Sequence, residues 1–219
     1  MLEIMSNITI VDYGVGNLFS VRKALENCGA NVILSADPDM LLKSDRLVLP
    51  GVGAFGGAIS ELHRLGLVEV IQKFAASRKP LLGICLGMQL LFDESEEFGL
   101  HAGLGLIPGR VVPIPITSSN GDKLKIPHIG WTSLSLSDQK VPWEDTFLSN
   151  IKHDDCVYFV HSFMAKPKNL SDELANCLYG GHSIAALVKY KNIIGCQFHP
   201  EKSGKVGLSI LKSFCGLNG

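Results

Sequence analysis

One stretch limits the folds open to this chain more than any other: Pro80-Leu81-Leu82-Gly83-Ile84-Cys85-Leu86-Gly87-Met88-Gln89-Leu90-Leu91-Phe92. It begins as an apolar run too short for a helix and long enough for a buried strand. Glycine then brackets one cysteine, as Gly83-x-Cys85-x-Gly87, and Leu86, Leu90 and Leu91 follow at helical spacing. The pattern predicts strand, sharp turn and helix, with the cysteine on the turn. That is the shape of a nucleophile elbow carrying a thiol where the hydrolase motif carries a hydroxyl. The flanking glycines leave room for a strained backbone that lifts the side chain clear. A helix N-terminus beneath the sulfur would favour the thiolate. The competing reading is a buried core cysteine, the usual place for one. The glycine bracket argues for the nucleophile.

The surrounding chain supplies a sheet for such an elbow. Asn7 to Val11 is a short apolar strand, followed by the loop Asp12-Tyr13-Gly14-Val15-Gly16-Asn17. Leu18, Val21, Leu25 and Cys28 then mark one face of an amphipathic helix, with Asn17 as N-cap and Gly29 just past its end. Val32 to Leu34 is a second strand, a short helical piece lies near Met40, and Arg46 to Leu49 is a third strand closed by Pro50. This β-α-β order implies a parallel sheet with right-handed crossovers. Ile59, Leu62, Leu67, Val70, Ile71 and Phe74 give helix interrupted near Gly66. Further on, Cys156 to Val160, Ile184 to Val188 and Ile193 to Phe198 read as strands, the last two joined by a tight turn at Lys191-Asn192. Val206, Ile210, Leu211 and Phe214 share one face of a final helix.

Residues 104 to 135 differ in character. Arg110-Val111-Val112 and Lys125-Ile126 flank Asn120-Gly121, a hairpin signal, and four prolines punctuate the segment. Residues 137 to 155 are polar and irregular. The expected fold class is α/β: an open, mostly parallel sheet flanked by helices, with an additional antiparallel β segment. A length of 219 residues suits a single domain spanning 1–219.

Two glycine-rich loops follow strands and so fall on the ligand-binding edge of such a sheet. The Gly14-x-Gly16 pair is not a dinucleotide fingerprint, because Phe19 stands at the third glycine and no acidic residue closes the second strand. A role facing a partner or a substrate, or a simple tight turn, remains for it. In Pro50-Gly51-Val52-Gly53-Ala54-Phe55-Gly56-Gly57 the P-loop ending of Lys-Ser/Thr is missing. Its backbone N–H groups suit an oxyanion hole, which a cysteine nucleophile needs; a flexible lead-in to the next helix is the alternative. Asp93-Glu94-Ser95-Glu96-Glu97 is placed near the end of the elbow helix, where acidic groups oppose the helix dipole. It is either a solvated acidic end or a place that awaits a substrate ammonium.

A formal net charge of −1 gives no reason to expect a nucleic-acid or anionic-membrane surface. The six cysteines, Cys28, Cys85, Cys156, Cys177, Cys196 and Cys215, are scattered, and no transmembrane run or basic leader stands out. Free thiols in a reducing cytoplasm are expected. No Cys-x-x-Cys or His-x-x-x-His spacing calls for a metal, and no cofactor is expected.

A thiolate nucleophile needs a histidine, and the histidine needs an orienting group. Of seven histidines, His199 directly follows the most apolar strand, so it lies on the same sheet edge as the elbow. In His199-Pro200-Glu201 the residues at i and i+2 project to one side of an extended chain, and Pro200 pushes His199 towards that geometry. Cys85, His199 and Glu201 are therefore the candidate catalytic triad.

With the triad placed, the chain resembles the triad (class I) glutamine amidotransferases. Gly83-Ile84-Cys85-Leu86-Gly87-Met88-Gln89 and Gln197-Phe198-His199-Pro200-Glu201 carry that likeness. Asp12-Tyr13-Gly14-Val15-Gly16-Asn17-Leu18, Leu49 to Phe55, Pro127-His128-Ile129-Gly130-Trp131, Tyr158 to Ser162 and Lys202-Ser203 narrow it to the branch of glutaminase subunits that serve histidine biosynthesis. The resemblance implies that glutamine is hydrolysed to glutamate and ammonia through a Cys85 thioester. It further implies an oxyanion hole from the Gly51-Val52 peptide and the N–H of Leu86. Gly53, Gln89, Glu97, His161, Ser162 and Phe163 match positions that hold glutamine. Asn17, Tyr158 and Lys202 match positions at the interface with a (β/α)8-barrel cyclase subunit, which forms a heterodimer and receives the ammonia. Two positions depart from the family pattern: Thr132 follows Trp131 where asparagine is usual, and Phe163 stands where tyrosine is usual. Both are expected to lose a polar group. Paralogous subunits feed ammonia to other synthases, sugar-amidinating ones among them, and other cysteine hydrolases share the scaffold.

Overall fold

The computed structural model describes residues 7–136, 143 and 146–217. In the first half, strands and helices alternate: β1 (Asn7–Val11), α1 (Leu18–Asn27), β2 (Asn31–Ser35), α2 (Pro38–Lys43), β3 (Arg46–Gly51), α3 (Phe55–Arg64), α4 (Val68–Ala76), β4 (Leu81–Cys85) and α5 (Leu86–Leu90). Strands dominate the second half: β5 (Phe92–Ser95), β6 (His101–Ala102), β7 (Ile107–Pro113), β8 (His128–Ser133), β9 (Ser135–Leu136), β10 (Cys156–His161), β11 (Phe163–Pro167), β12 (Glu173–Tyr179), β13 (His182–Tyr190) and β14 (Ile193–Cys196). The helix α6 (Gly204–Cys215) follows.

The main sheet has the order β2-β1-β3-β4-β14-β13-β12-β9. Its first five strands are parallel and its last three antiparallel. The tight turn at Lys191-Asn192 sends β13 into β14 in the antiparallel sense, with Lys191 at φ 55°. A second sheet runs β11-β7-β5-β6, and β8 pairs with β10 as a ribbon. The expected antiparallel addition is thus present but divided between two sheets.

Side chains alternate across the parallel strands, as period-2 patterning requires. In β3, Leu47 and Leu49 pack on one face with Phe55, Leu62 and Phe74 of α3 and α4. Val48 packs on the other, with Val21 and Leu25 of α1 and Ile210 and Phe214 of α6. Helices therefore cover both faces and leave the C-terminal edge of the parallel strands for chemistry. Among the described residues no helix is long and apolar enough to cross a membrane.

Two local expectations change. The acidic run Asp93 to Glu97 does not end a helix: α5 stops at Leu90, and Phe92–Ser95 is a strand. Leu90, Leu91 and Phe92 are all buried, and the Leu90 and Leu91 carbonyls accept from the N–H groups of Leu104, Leu106 and Ile107 instead of continuing the helix. The hairpin signal at Asn120-Gly121 yields only an isolated bridge from Thr117 to Lys123, with Lys125-Ile126 outside any strand. Of the polar stretch 137–155, residues 137–142 and 144–145 lie outside the described residues.

Candidate active site

Three neighbouring strands of the parallel half end together and carry the site: β3 in Gly51, β4 in Cys85, and β14 just before Gln197 and His199. Gly51 and Cys85 are register partners across the β3–β4 ladder. Pairing thus brings together residues far apart in sequence.

Cys85 is the elbow. Its backbone sits at φ 54°, ψ −112°, a conformation that strains any residue with a side chain. The close packing of the turn holds it there. A Cβ on Gly83 would come within 2.7 Å of the Gly87 carbonyl oxygen, and a Cβ on Gly87 within 1.8 Å of that of Leu49. The two glycines therefore let the start of α5 press on β3 and β4. At five residues α5 is shorter than the sequence implies, so its dipole is correspondingly smaller. The sulfur lies 3.9 Å from the Val160 carbonyl oxygen and 4.0 Å from Nε2 of Gln197.

His199 and Glu201 meet, but not along an extended chain: His199 is extended, and Pro200–Lys202 then forms one turn of 3-10 helix that turns Glu201 back to the ring. The imidazole Nδ1 donates to Oε1 of Glu201 at 2.8 Å, and both side chains are almost fully buried. Nε2 of His199 and Oε2 of Glu201 are buried without a hydrogen-bond partner. Burial disfavours the imidazolium, but interactions with Cys85 and with Glu201 outweigh it and raise the His199 pKa to about 9. The turn is pinned through β10: the His199 N–H donates to the Tyr158 carbonyl, the Tyr158 N–H donates to the Ser203 hydroxyl, and that hydroxyl donates to the His199 carbonyl.

A cavity of about 270 Å³ joins these parts. Cys85, Leu86 and His199 line it, and so do the expected glutamine positions Gly53, Gln89, Glu97, His161, Ser162 and Phe163, with Val52 of the expected oxyanion loop. Gly51 is buried behind Val52. Gln89 Nε2 donates to the Phe163 carbonyl and to Oε1 of Gln197, both at 3.0 Å. Glu97 accepts at 2.6 Å from the backbone N–H of Phe55, the first residue of α3. The carboxylate is thus held at a helix N-terminus, the favourable end, with its face to the cavity. A larger cavity of about 820 Å³ lies at the opposite sheet edge, around Arg78, Lys191 and Asn192, and contains neither a cysteine nor a histidine.

The interface candidates stand apart from the cavity. Asn17 caps α1, accepting from the Ser20 N–H. Tyr158 meets the exposed Trp131 edge-on at 6.1 Å between ring centres. Lys202 is exposed on the turn that follows Glu201. Sequence reasoning missed two supports. Tyr13 is fully buried and its hydroxyl donates to the Pro50 carbonyl at 2.7 Å, bracing the loop at Gly51. Gln197 lies directly behind the nucleophile. The signal for Tyr13 was its place at the end of the first strand; Gln197 gave none beyond its proximity to His199. Among the described residues no group of three or more histidines, cysteines or acids is arranged to hold a metal.

The model of the family glutamine amidotransferase class-I matches residues 9–215. The chain belongs to the class-I glutamine amidotransferases. Within that family it is 52% identical over 210 residues to the imidazole glycerol phosphate synthase subunit HisH 1 of Legionella pneumophila (strain Lens), covering 96% of this chain and 99% of that one. It is 51% identical to the HisH subunit of Lacticaseibacillus casei (strain BL23), covering 94% of each chain. Among solved structures it resembles a putative GMP synthase subunit from Thermoplasma acidophilum (TM-score 0.67, 21% identity, 98% of this chain and 94% of that one). It also resembles PurLQS from Thermotoga maritima (TM-score 0.69, 21% identity, 96% and 98%). These two likenesses show the amidotransferase fold.

Proposed function

We propose that this protein is the glutaminase subunit of an imidazole glycerol phosphate synthase. The observation that carries the reading is the buried His199–Glu201 pair at 2.8 Å, whose histidine lines the same cavity as the strained Cys85. The half-identity to HisH subunits along nearly the whole chain supports the choice of synthase.

The Cys85 thiolate attacks the side-chain amide carbon of glutamine. Negative charge moves to the amide oxygen, where the N–H of Leu86 and the Gly51-Val52 peptide receive it. His199, protonated and held by Glu201, gives its proton to the departing nitrogen, and ammonia leaves a glutamyl thioester. Water then attacks the thioester as neutral His199 takes its proton, and glutamate is released with the thiolate restored. Glu97 binds the substrate α-ammonium, the positive partner that its carboxylate lacks among the described residues; Gln89 and the His161-Ser162-Phe163 backbone hold the rest. No metal or cofactor takes part in this scheme.

The ammonia passes to the cyclase subunit of imidazole glycerol phosphate synthase, a (β/α)8 barrel. The partner makes imidazole glycerol phosphate and aminoimidazole carboxamide ribotide in the cytoplasm. The single domain docks as one half of a heterodimer through Asn17, Tyr158 and Lys202. The deciding experiment compares the assembled synthase with a Cys85→Ala variant. Glutamine-dependent synthesis should vanish and ammonia-dependent synthesis remain. Glutamine-dependent product from the variant, or no glutamate from the wild-type assembly, refutes the proposal.

A further inference from the structure

A line of hydrogen bonds runs from the β8–β10 ribbon into the cavity. Thr132 Oγ1 lies 2.8 Å from Nε2 of His128. Nδ1 of His128 lies 3.0 Å from Nε2 of His161, and Nδ1 of His161 lies 2.8 Å from the Phe163 carbonyl oxygen. That carbonyl also accepts from Gln89, whose amide continues to Gln197 beside the Cys85 sulfur. The register of β8 on β10 sets His128 opposite His161. His128 is clamped between Tyr179 and Phe159, with ring centres 4.1 and 4.9 Å away and near-parallel planes.

The chemistry of the last acceptor fixes every proton in the line. A carbonyl only accepts, so Nδ1 of His161 carries its hydrogen. A neutral imidazole then has a lone pair on Nε2, which must receive Nδ1–H of His128. Nε2 of His128 is in turn an acceptor, and the Thr132 hydroxyl must donate. Burial keeps both rings neutral, with pKa values pushed down to about 4. At His161 the Phe163 hydrogen bond opposes that shift, while His128 and His199 add to it.

We propose that Thr132 is a positioning residue for glutamine binding: its hydroxyl satisfies the acceptor nitrogen at the outer end of a two-imidazole string that holds the Phe163 carbonyl and, through it, the Gln89 amide. Without a donor at residue 132, the lone pair on Nε2 of His128 is left buried and unpaired, which costs free energy and loosens the ring that positions His161. The Phe163 carbonyl still demands Nδ1–H of His161, so the tautomers stay and the loss is one of positioning. The departure from asparagine at this position therefore keeps a donor, contrary to the sequence expectation of a lost polar group. The inference rests on the glutaminase reading for its kinetic consequence but not for its geometry.

The test begins with the protein labelled with 15N at histidine and free of glutamine. Two-bond 1H–15N spectra at pH 7 should show His128 and His161 neutral and both protonated on Nδ1. In Thr132→Val both rings should keep these tautomers, while the His128 Nε2 resonance moves downfield, as an imidazole lone pair that loses its hydrogen-bond donor does. In the assembled synthase the same variant should raise the glutamine KM by about fivefold to tenfold, as loss of a buried hydrogen bond predicts, with kcat changed less. Thr132→Ser and Thr132→Asn, which retain a donor, should restore both readouts. A wild-type ring that is charged or protonated on Nε2 overturns the proposal, whatever the fate of the variants. So does a valine variant with unchanged spectra and KM. If the wild-type assembly releases no glutamate, the glutaminase reading fails while the spectra still decide the string.

Discussion

The Leu49 carbonyl oxygen occupies the space where Gly87 would carry a side chain; a Cβ there would be 1.8 Å from it. The atom it would strike is backbone of a buried strand, with no rotamer to yield. The glycine after the nucleophile thus serves close approach of α5 to β3, while the unusual dihedrals belong to Cys85 itself.

Gly87→Ala should therefore cost about 3 kcal/mol or more, near the upper end for an overpacked core. Gly57→Ala is the control. Gly57 lies exposed in the first turn of α3 with nothing within 4 Å of its would-be Cβ. That substitution should be neutral or stabilise by up to about 1 kcal/mol. Urea unfolding of both variants checks the pair; equal stability of the two would contradict the packing argument.

Cys85 gives an inverted glycine–alanine order. Alanine at a strained, positive-φ position keeps the strain, about 1–3 kcal/mol, and glycine relieves it. Glycine loses about 0.5–1 kcal/mol through chain entropy. Cys85→Gly should then match or exceed Cys85→Ala in stability, by on the order of 1 kcal/mol. Thermal unfolding of the two inactive variants measures this directly. An alanine variant clearly more stable than the glycine variant would show that the elbow is unstrained.

The His199 pKa carries a pH signature. Burial lowers it, but Cys85 and Glu201 raise it from the ordinary 6.5 to about 9. A base with a raised folded-state pKa contributes stability that is full below about 6.5 and is lost as the pH rises through about 9. Glu201→Gln removes one of the two supports and leaves the burial. Its imidazole should titrate below the wild-type value, and the decline in stability between those two pH values should shrink. Ring carbon shifts of His199 followed by NMR, with Tm measured across that range, give both readouts. An unchanged titration in Glu201→Gln would mean that Cys85 alone holds the proton.

Much of this was legible in the sequence for local reasons. The elbow, the α1 cap at Asn17 and the His199–Glu201 pair each depend on residues within a few positions of one another, where spacing maps to geometry. The parallel sense of the first strands followed from β-α-β alternation. What stayed hidden is non-local. Nothing in Asp93 to Glu97 foretells that Leu90-Leu91-Phe92 will be buried and turn the acidic run into a strand, delivering Glu97 to the start of α3. The contact of Tyr13 with Pro50 spans 37 residues, and the string through His128, His161 and Phe163 exists only once β8 and β10 are paired.

The face outside the cavity carries the last prediction. Trp131 is 57% exposed on β8 and packs edge-on against Tyr158, while Phe19, 70% exposed, lies two residues beyond the Asn17 cap. A large aromatic left in water on an antiparallel ribbon does little for the isolated fold, but it is the residue type that most often anchors an interface. Trp131→Ala should leave Tm within about 2 °C and weaken binding to the cyclase subunit by at least tenfold, the scale of an anchor residue. The ribbon links the two regions: Trp131 and Tyr158 are register partners in it, and the Tyr158 backbone accepts from the His199 N–H. The variant should accordingly also lower the rate of glutamine hydrolysis at saturating cyclase, an effect that loss of affinity alone would not produce. Calorimetric titration against the cyclase and glutamate release at saturation measure the two effects separately. Undiminished affinity would place the docking surface elsewhere on the sheet edge.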